Sequence, residues 1–416
     1  MKLGKNFVIY LTSSIVSGAL PLVLMPFLTH SLTPTEYGLM VTVTTMVALV
    51  APLVNWATTA YLSVQYFKVD NAAMPRLFSS ILLIPAINTA VLMALFFLGR
   101  TLLSRWFDIP PGWDLAIPLM AAALLLPQIA QTVLAMRDKA LGYAAIEISG
   151  AAINFLGTLL LVLVLGLAWQ GRVIAAALSS AILSVIALIW FARQGFFTRH
   201  LSKSEFVGAL RFGTGGVAHD LANQALRLAD RLLIVAMIGQ AAVGTYAVAV
   251  QWSSIMLMVL AAFNRAWVPF LFSALSKAEP GWAERIVRQT YIVWGGLFVL
   301  VVGFNIATPI GYHLLIDQRY HGSMPAAFWL TLGYFFNGIY LTVVDYIFYL
   351  KKTHILASIT VFNLVLNVVL AYFLIGIQGA LGASIAFALT AAIIMCLTFL
   401  ISYRLHPMPW LRGVFR

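Results

Sequence analysis

A short stretch near the middle of the chain, HDLANQALRLADRLL (219–233), gathers ionisable residues in a sequence that is 62% hydrophobic and only 9% charged. Successive residues of an α-helix are rotated by about 100°, so side chains three, four and seven positions apart share a face. This spacing predicts one polar stripe formed by Asp220, Gln224, Arg227 and Arg231, with His219, Asn223 and Asp230 beside it. The stripe is the first candidate for a functional site.

The charge on this stripe is more positive than negative. Arg227 and Arg231 are four positions apart on one face, where two like charges repel unless an anion lies near both. Asp230 can pair with Arg227, whereas Asp220 lies two helical turns before it. Two arginines with one nearby acid favour a phosphate or pyrophosphate ligand, which guanidinium groups contact through paired hydrogen bonds. The alternative is that these charges neutralise one another and only fix the helix against a neighbour.

The composition places this helix in a membrane. Soluble domains are about 45–50% apolar and about a quarter charged, so this 416-residue chain lies far outside that class. An integral membrane protein surrounded by membrane lipids is therefore predicted. The net charge of +12 does not indicate a nucleic acid partner, because the basic residues are scattered in short loops rather than gathered on one face.

Apolar segments of about 20 residues are long enough to cross a bilayer as helices. We count twelve such segments, at 6–32, 38–67, 77–99, 115–136, 140–169, 173–192, 206–238, 244–275, 286–316, 324–350, 354–377 and 379–403. Lysine and arginine set the orientation, since they accumulate in cytoplasmic loops. With the N-terminus inside, eighteen basic residues lie on the cytoplasmic side and four lie outside, namely Arg100, Arg105, Arg172 and Arg319. Both termini are therefore predicted to be cytoplasmic.

A polar connection, RQGFFTRHLSKSE, divides the twelve segments into two sets of six. We predict an N-terminal six-helix lobe at 1–192, a cytoplasmic linker at 193–206, a C-terminal six-helix lobe at 207–403 and a basic cytoplasmic tail at 404–416. A weak internal echo supports two halves, because SLTPTEYGLMVTV and MIGQAAVGTYAVA each place a glycine, Gly38 or Gly244, at the start of an apolar run. Six spans between the copies give both halves the same orientation, as in transporters built from parallel repeats.

Three further ionisable residues lie within the predicted spans: Arg265, Glu147 and Asp345. A charged side chain is costly when it faces lipid, so each is expected to face the protein interior or a watery cavity. Arg265 either extends the positive stripe or reaches back to the cytoplasmic headgroups. Glu147 and Asp345 either couple transport to a proton or another ion, or pair with nearby basic loop residues.

Motifs for catalysis are not apparent. The sequence has no metal-binding motif, phosphate-binding loop or nucleophile elbow, and its seven histidines are dispersed. We therefore predict no catalytic residue, no metal site and no cofactor, and we expect a protein that is not an enzyme. The outer loops are short, the longest running over 100–113, which disfavours a membrane-embedded glycan polymerase or ligase.

Two motifs resemble a known family. FLTHSLTPTEYGLM (27–40) resembles the leucine-threonine-proline and tyrosine-glycine signature of the polysaccharide transporter family, the Wzx-type O-antigen flippases of the multidrug/oligosaccharidyl-lipid/polysaccharide superfamily. LADRLLIVAMIGQAAVGTYAVAVQ (228–251) is similar to that family's Asp-Arg on span seven followed by Gly-x-Tyr-x-x-Ala on span eight. Asp230 and Arg231 occupy the Asp-Arg positions. Chain length, span number and cytoplasmic termini also agree.

The resemblance implies two six-helix lobes around a central cavity, in a bacterial inner membrane. It further implies a flippase that moves an undecaprenyl-pyrophosphate-linked oligosaccharide, such as an O-antigen repeat unit of lipopolysaccharide, to the periplasmic leaflet by alternating access. Ion or proton coupling, and contact with glycan polymerase machinery, are expected to accompany this activity. From their positions, the candidate pyrophosphate and sugar ligands are Arg227, Arg231, Arg265, Asn223 and Gln224, and the candidates for charge pairing or ion coupling are Asp220, Asp230, Glu147 and Asp345.

The alternative from the same superfamily is a cation-coupled multidrug or metabolite antiporter that uses the acidic residues. Extruders of this kind favour acidic cavities for their cationic substrates, so the three arginines within spans argue against it. Lipid II flippases of the superfamily usually have fourteen spans, two more than are predicted here.

Overall fold

The computed structural model describes residues 2–70, 72–277 and 281–410, and within these ranges it contains helices and connections without a strand. The helices are α1 (Lys2–Ser31), α2 (Pro34–Asn55), α3 (Thr58–Gln65), α4 (Met74–Ile81), α5 (Leu83–Leu98), α6 (Arg100–Phe107), α7 (Trp113–Ala123), α8 (Leu125–Met136), α9 (Ala140–Thr158), α10 (Ala168–Arg193), α11 (Lys203–Met237), α12 (Gln240–Lys277), α13 (Trp282–Leu315), α14 (Met324–Tyr349), α15 (Thr353–Gln378) and α16 (Ala380–Leu405). The predicted all-α membrane class is confirmed. Of the predicted basic tail, residues 411–416 lie outside the described ranges.

Eleven helical segments of the described chain are long and apolar enough to cross a membrane. They correspond to every predicted span except 206–238, which is α11. This helix has 35 residues, more than the roughly 20 that a bilayer requires. It is less apolar than the eleven segments because the charged residues of the stripe lie within it.

The helices pack into two compact units, Met1–Gly244 and Thr245–Arg416. In the first unit, α11 packs on α2, α3, α4, α5 and α6. In the second, α14 packs on α13, α15 and α16. The first unit includes α11 because α11 is packed on helices that precede it. The connection between α10 and α11 lies inside the predicted linker, and the predicted division into lobes at that linker stays a prediction.

The predicted span 38–67 is wrong at its end, because the helix breaks. α2 ends at Asn55, and the backbone passes through the left-handed region at Trp56 (φ 48°) and Ala57 (φ 53°) before α3 begins. The Asn55 side chain stabilises the break, since its Oδ1 accepts a hydrogen bond from the Thr58 hydroxyl at 2.8 Å. An asparagine that bonds the next turn in this way competes with the continuing helix.

The predicted span 140–169 is also wrong at its end. α9 continues only through a π-helical turn, Leu159–Val164, and Gly166 then adopts a φ of 66°. α10 begins at Ala168, so Arg172 lies in its first turns and not in an outer loop. No side chain caps the start of α10, which explains why the sequence did not mark it.

The TPTEYG motif builds the start of α2. The Thr33 hydroxyl accepts a hydrogen bond from the Glu36 N–H at 3.3 Å, and the Glu36 carboxylate accepts one from the Thr33 N–H at 2.8 Å. This reciprocal pair is a capping box. Pro34 occupies the first helical turn, where its fixed φ favours the helix. The first part of the family motif therefore specifies a helix start.

The two glycines of the sequence echo meet where α2 approaches the first turn of α12. A Cβ on Gly38 would lie 1.9 Å from the Gln240 carbonyl oxygen, and a Cβ on Gly244 would lie 2.0 Å from the Pro34 carbonyl oxygen. The Gln240 side chain is buried there, where its Oε1 accepts a hydrogen bond from Thr42 at 2.8 Å. Only glycine permits such close backbone contact, so the echo marks a helix crossing.

Candidate anion site on α11

The N-terminal end of α11 is fixed to α3. The Ser202 hydroxyl caps α11 by accepting a hydrogen bond from the Glu205 N–H at 3.4 Å. The Tyr61 hydroxyl of α3 donates to the Glu205 carboxylate at 3.0 Å. Burial, followed by this hydrogen bond to Glu205, raises the pKa of Tyr61. Tyr61 therefore remains a donor at neutral pH, and the contact persists.

Trp56, in the break between α2 and α3, fixes the next turns of α11. Its indole N–H donates to the Leu210 carbonyl oxygen at 3.1 Å. A Cβ on Gly213 would lie 2.1 Å from the Trp56 ring, so the indole packs directly on the α11 backbone. The break that the sequence did not reveal thus positions the helix that carries the stripe.

Hydrogen bonds connect the stripe residues along one face of α11. Gln224 donates to the Ala48 carbonyl oxygen of α2 at 3.2 Å and accepts a hydrogen bond from Arg227. Arg231 Nη1 donates to the Arg227 carbonyl oxygen at 2.9 Å. Gln224 therefore orients Arg227 from a fixed point on α2, and Arg231 lies one turn further along the same face.

Arg227 remains open to a ligand, whereas Arg231 is partly engaged. The Arg227 residue is exposed. The side chains of Arg231 and Asp230 are 16% and 22% exposed, and their Nη1 and Oδ1 atoms are 3.8 Å apart. Asp230 also accepts a hydrogen bond from the Arg231 N–H at 2.8 Å. This long ion pair leaves guanidinium donors of both arginines available to an anion.

The N-terminal part of the stripe, Asp220 and its neighbours, is polar and open. Asp220 is exposed and forms no ion pair with any residue that the structure describes. His219 and Asn223 contact each other through their side-chain nitrogens at 3.1 Å. Asn223 is half-buried, so its amide oxygen and the Asp220 carboxylate offer acceptors for hydroxyl groups.

Sequence reasoning placed Arg172 in an outer loop and missed its relation to α2. Tyr37 of α2 interacts electrostatically with both Arg172 and Arg231, so each arginine lies within electrostatic range of the Tyr37 side chain. Arg172 Nη1 donates to Asn154 Oδ1 at 2.6 Å. Among the described residues, the stripe has one ion pair, between Arg231 and Asp230. Arg227 therefore has no carboxylate paired with it in this part of the chain, since Asp220 lies two helical turns before it.

Glu147, on α9, lies among serines of α1. Its carboxylate accepts hydrogen bonds from Ser13 at 2.6 Å, Ser14 at 3.2 Å and Ser17 at 3.1 Å. No basic residue of the described chain forms an ion pair with it. The serine spacing SSxxS places all three hydroxyls on neighbouring positions of one helix face, a signal that sequence reasoning overlooked.

Two predicted site residues lie in the second unit. Arg265, on α12, is exposed and its Nε donates to the Ala261 carbonyl oxygen at 3.3 Å. Asp345, on α14, is 4% exposed. Its Oδ2 has no hydrogen-bond partner among the described residues. These two residues contrast, since one is open to its surroundings and the other is enclosed by α14 and its neighbours.

A family model described as "Polysaccharide biosynthesis protein" matches residues 3–275. The chain belongs to the polysaccharide biosynthesis protein family. The matched residues include the α2 capping box, both glycines of the crossing and the whole stripe of α11. No curated protein sequence matches the chain.

Solved structures of membrane transporters share the fold of this polysaccharide biosynthesis protein. An inward-facing multidrug resistance MATE family transporter of the MOP superfamily matches with a TM-score of 0.72 at 13% identity, over 94% of each chain. The lipid II flippase MurJ, in an inward closed conformation, matches with a TM-score of 0.73 at 13% identity, over 96% of this chain and 87% of its own. A mutant of the Vibrio cholerae MATE transporter VcmN matches with a TM-score of 0.61 at 15% identity, over 98% of this chain and 97% of its own.

Identities this low show the fold alone. That all-helical fold is shared with transporters of the MOP superfamily, and the predicted family and fold class are confirmed. The protein is thus a multi-pass membrane protein of this family, with a fold that solved membrane transporters share.

Proposed function

We propose that the protein is a flippase for an undecaprenyl-pyrophosphate-linked oligosaccharide, such as an O-antigen repeat unit, in a bacterial inner membrane. The observation that carries the proposal is the pair of arginines on one face of α11, of which Arg227 is exposed. Arg172 carries a further positive charge, within electrostatic range of the Tyr37 side chain that Arg231 also reaches. A diphosphate bridges several guanidinium groups that would otherwise repel one another.

The other parts of such a substrate also have matching chemistry. The half-buried amides of Asn223 and Gln224 are donors and acceptors for sugar hydroxyls. The polyprenyl tail needs no protein ligand, since it remains in lipid during transfer. Arg265, exposed on α12, offers a further cation as the headgroup moves by alternating access between the cytoplasmic and periplasmic leaflets. Glycan polymerase machinery would then consume the product.

Energy coupling is assigned to the acids away from the arginines. Glu147 in its serine cluster has a carboxylate that accepts hydrogen bonds from three hydroxyl groups, and such an oxygen-rich group suits exchange of a proton or a hard cation. Asp345 is enclosed and lacks a partner on Oδ2 in the described chain. Asp220 and Asp230 instead balance the charge of the stripe.

The direct test is leaflet transfer of a defined lipid-linked oligosaccharide in proteoliposomes. Arg227→Ala and Arg231→Ala should each lower the transfer rate by about tenfold or more, since a lost charge-assisted contact is worth about 1.5–3 kcal/mol. Arg211→Ala is the matched control, because Arg211 is an exposed arginine on the opposite face of α11. Normal transfer in both stripe variants, with unchanged melting temperatures, would contradict the site.

The second candidate function is a cation-coupled antiporter of drugs or metabolites. The oxygen-lined Glu147 site is the observation that favours it. It predicts that Glu147→Gln abolishes efflux of a cationic drug, while Arg227→Ala leaves efflux unchanged. Drug efflux without any transfer of lipid-linked sugar would establish this alternative and exclude the flippase.

A further inference from the structure

We propose that a cavity at the predicted outer end of the first unit binds the phosphate group of a lipid in the outer leaflet. The cavity has a volume of about 640 Å³ and lies between the end of α5, the polar side of α6 and the connection to α7. No residue of the α11 stripe lines it. It is therefore a second anion site, separate from the site of the proposed function.

α6 has the composition of a helix that lies in a membrane interface. Its polar side lines the cavity with Arg100, Thr101, Ser104 and Arg105. Its other side carries Leu102 and Trp106, which are 60% and 54% exposed. A short helix with arginines on one side and Leu and Trp on the other places its apolar side among acyl chains and its cations at headgroup depth.

The charges of the cavity are available to a ligand. Arg100 and Arg105 are exposed, and neither forms an ion pair within the described part of the chain. The Arg100 guanidinium lies 5.0 Å from the Phe97 ring centroid, which holds it at the rim. Asp114 also lines the cavity, but it is buried and its Oδ1 accepts a hydrogen bond from the Gly112 N–H at 2.9 Å. The acid is thus committed to the turn before α7, and the open groups are cationic.

The rim is held in place by buried contacts. The Phe107 carbonyl oxygen, at the end of α6, accepts a hydrogen bond from the buried Gln240 side chain at 2.7 Å. α6 also packs on α11. Two guanidinium groups and the hydroxyls of Thr101 and Ser104 therefore form a preorganised set of donors for phosphate oxygens. Since the acyl-facing side of the same helix is apolar, the phosphate is expected to be attached to a lipid rather than free in solution.

The test uses the purified, delipidated full chain and native mass spectrometry. Phosphatidylglycerol is the probe, diacylglycerol is the lipid without phosphate, and inorganic phosphate is the phosphate without lipid. Replacing both arginines, Arg100→Gln with Arg105→Gln, should weaken phosphatidylglycerol binding about tenfold, because two charge-assisted contacts are lost. Arg193→Gln with Arg199→Gln removes the same charge from exposed positions on the predicted cytoplasmic side and should leave binding unchanged.

Each other outcome overturns the proposal. Equal losses in the two double variants would show unspecific attraction, and unchanged binding in the Arg100 and Arg105 variant would show that the cavity takes no phosphate. Equal binding of diacylglycerol, or equal occupancy by inorganic phosphate, would exclude a lipid phosphate as the ligand. If the double variant fails to fold, Thr101→Val with Ser104→Ala removes the two hydroxyl donors of the cavity and leaves its charge. Unchanged binding in that variant overturns the proposal. The binding measurement uses phosphatidylglycerol and variants of α6, whereas the transfer assay uses a lipid-linked oligosaccharide and variants of α11, so the two proposals fail independently.

Discussion

The glycine crossing of α2 and α12 and the polar stripe of α11 both contain residues of the family motifs, yet they differ in what they can accommodate. At the crossing, a single added methyl group would meet a carbonyl oxygen at 1.9 or 2.0 Å. On the stripe, Arg227 is exposed and has room for a ligand. The crossing therefore fixes the backbone, while the stripe presents charge.

Resemblance to a family motif therefore does not by itself identify a binding residue. Gly38 and Gly244 are as much a part of the motifs as Asp230 and Arg231, but their role is packing. Substitutions should separate the two regions, because one set should lower folding stability and the other should lower transport in a folded protein.

The largest expected effect is at the crossing. Gly38→Ala or Gly244→Ala should lower the free energy of unfolding by about 3 kcal/mol or more, since the clash is with backbone that cannot rotate away. Fluorescence-detected thermal melting in detergent measures this. Gly215→Ala on α11 is the matched control, because its Cβ would meet nothing within 4 Å. A Gly38→Ala protein that melts like the wild type would show that the crossing tolerates an added methyl group, as the stripe does.

The next effect concerns Arg172 of α10, which interacts electrostatically with the same Tyr37 side chain as Arg231 of the stripe. Arg172→Gln should slow transfer of lipid-linked oligosaccharide about tenfold at a nearly unchanged melting temperature, because one charge-assisted contact is lost. Asn154→Leu removes its hydrogen-bond partner and leaves the charge. If Asn154→Leu slows transfer equally, Arg172 acts by packing rather than by binding.

Asp345 and Glu147 are two acids whose replacement by the neutral amide should change the free energy of unfolding in opposite directions. Asp345→Asn should raise the free energy of unfolding by about 1–2 kcal/mol, since a buried carboxyl group without a partner on Oδ2 is replaced by a neutral amide. Glu147→Gln should lower it by about 1 kcal/mol, because three serine hydroxyls lose a charged acceptor. Thermal melting of both variants measures the changes, and the same direction in both would contradict the difference in their surroundings.

The smallest expected effect is at Gln224, whose side chain connects the stripe of α11 to α2. Gln224→Leu removes the bond to the Ala48 carbonyl oxygen and the acceptor of Arg227. Stability should fall by about 1 kcal/mol, and the apparent KM for the lipid-linked substrate should rise while the maximal rate changes little. An unchanged KM would show that Arg227 needs no orientation.

Much of the fold and part of the site follow from sequence alone. Hydropathy and composition predict the membrane helices because a bilayer accepts few other sequences. Helical periodicity places Gln224, Arg227 and Arg231 on one face because that relation is local. The capping residues Thr33 and Glu36 likewise mark the start of α2 through contacts only three positions apart.

Other features depend on residues that are distant in sequence, and only the tertiary structure decided them. The break at Trp56 helps to position α11, because the Trp56 indole packs on Gly213. Glu147 meets serines at least 130 positions away, and Arg172 and Arg231 both interact electrostatically with Tyr37. Local patterns specify which face of a helix is polar, but packing between helices specifies which polar faces meet, because that depends on backbone contacts such as the one between Gly38 and Gln240.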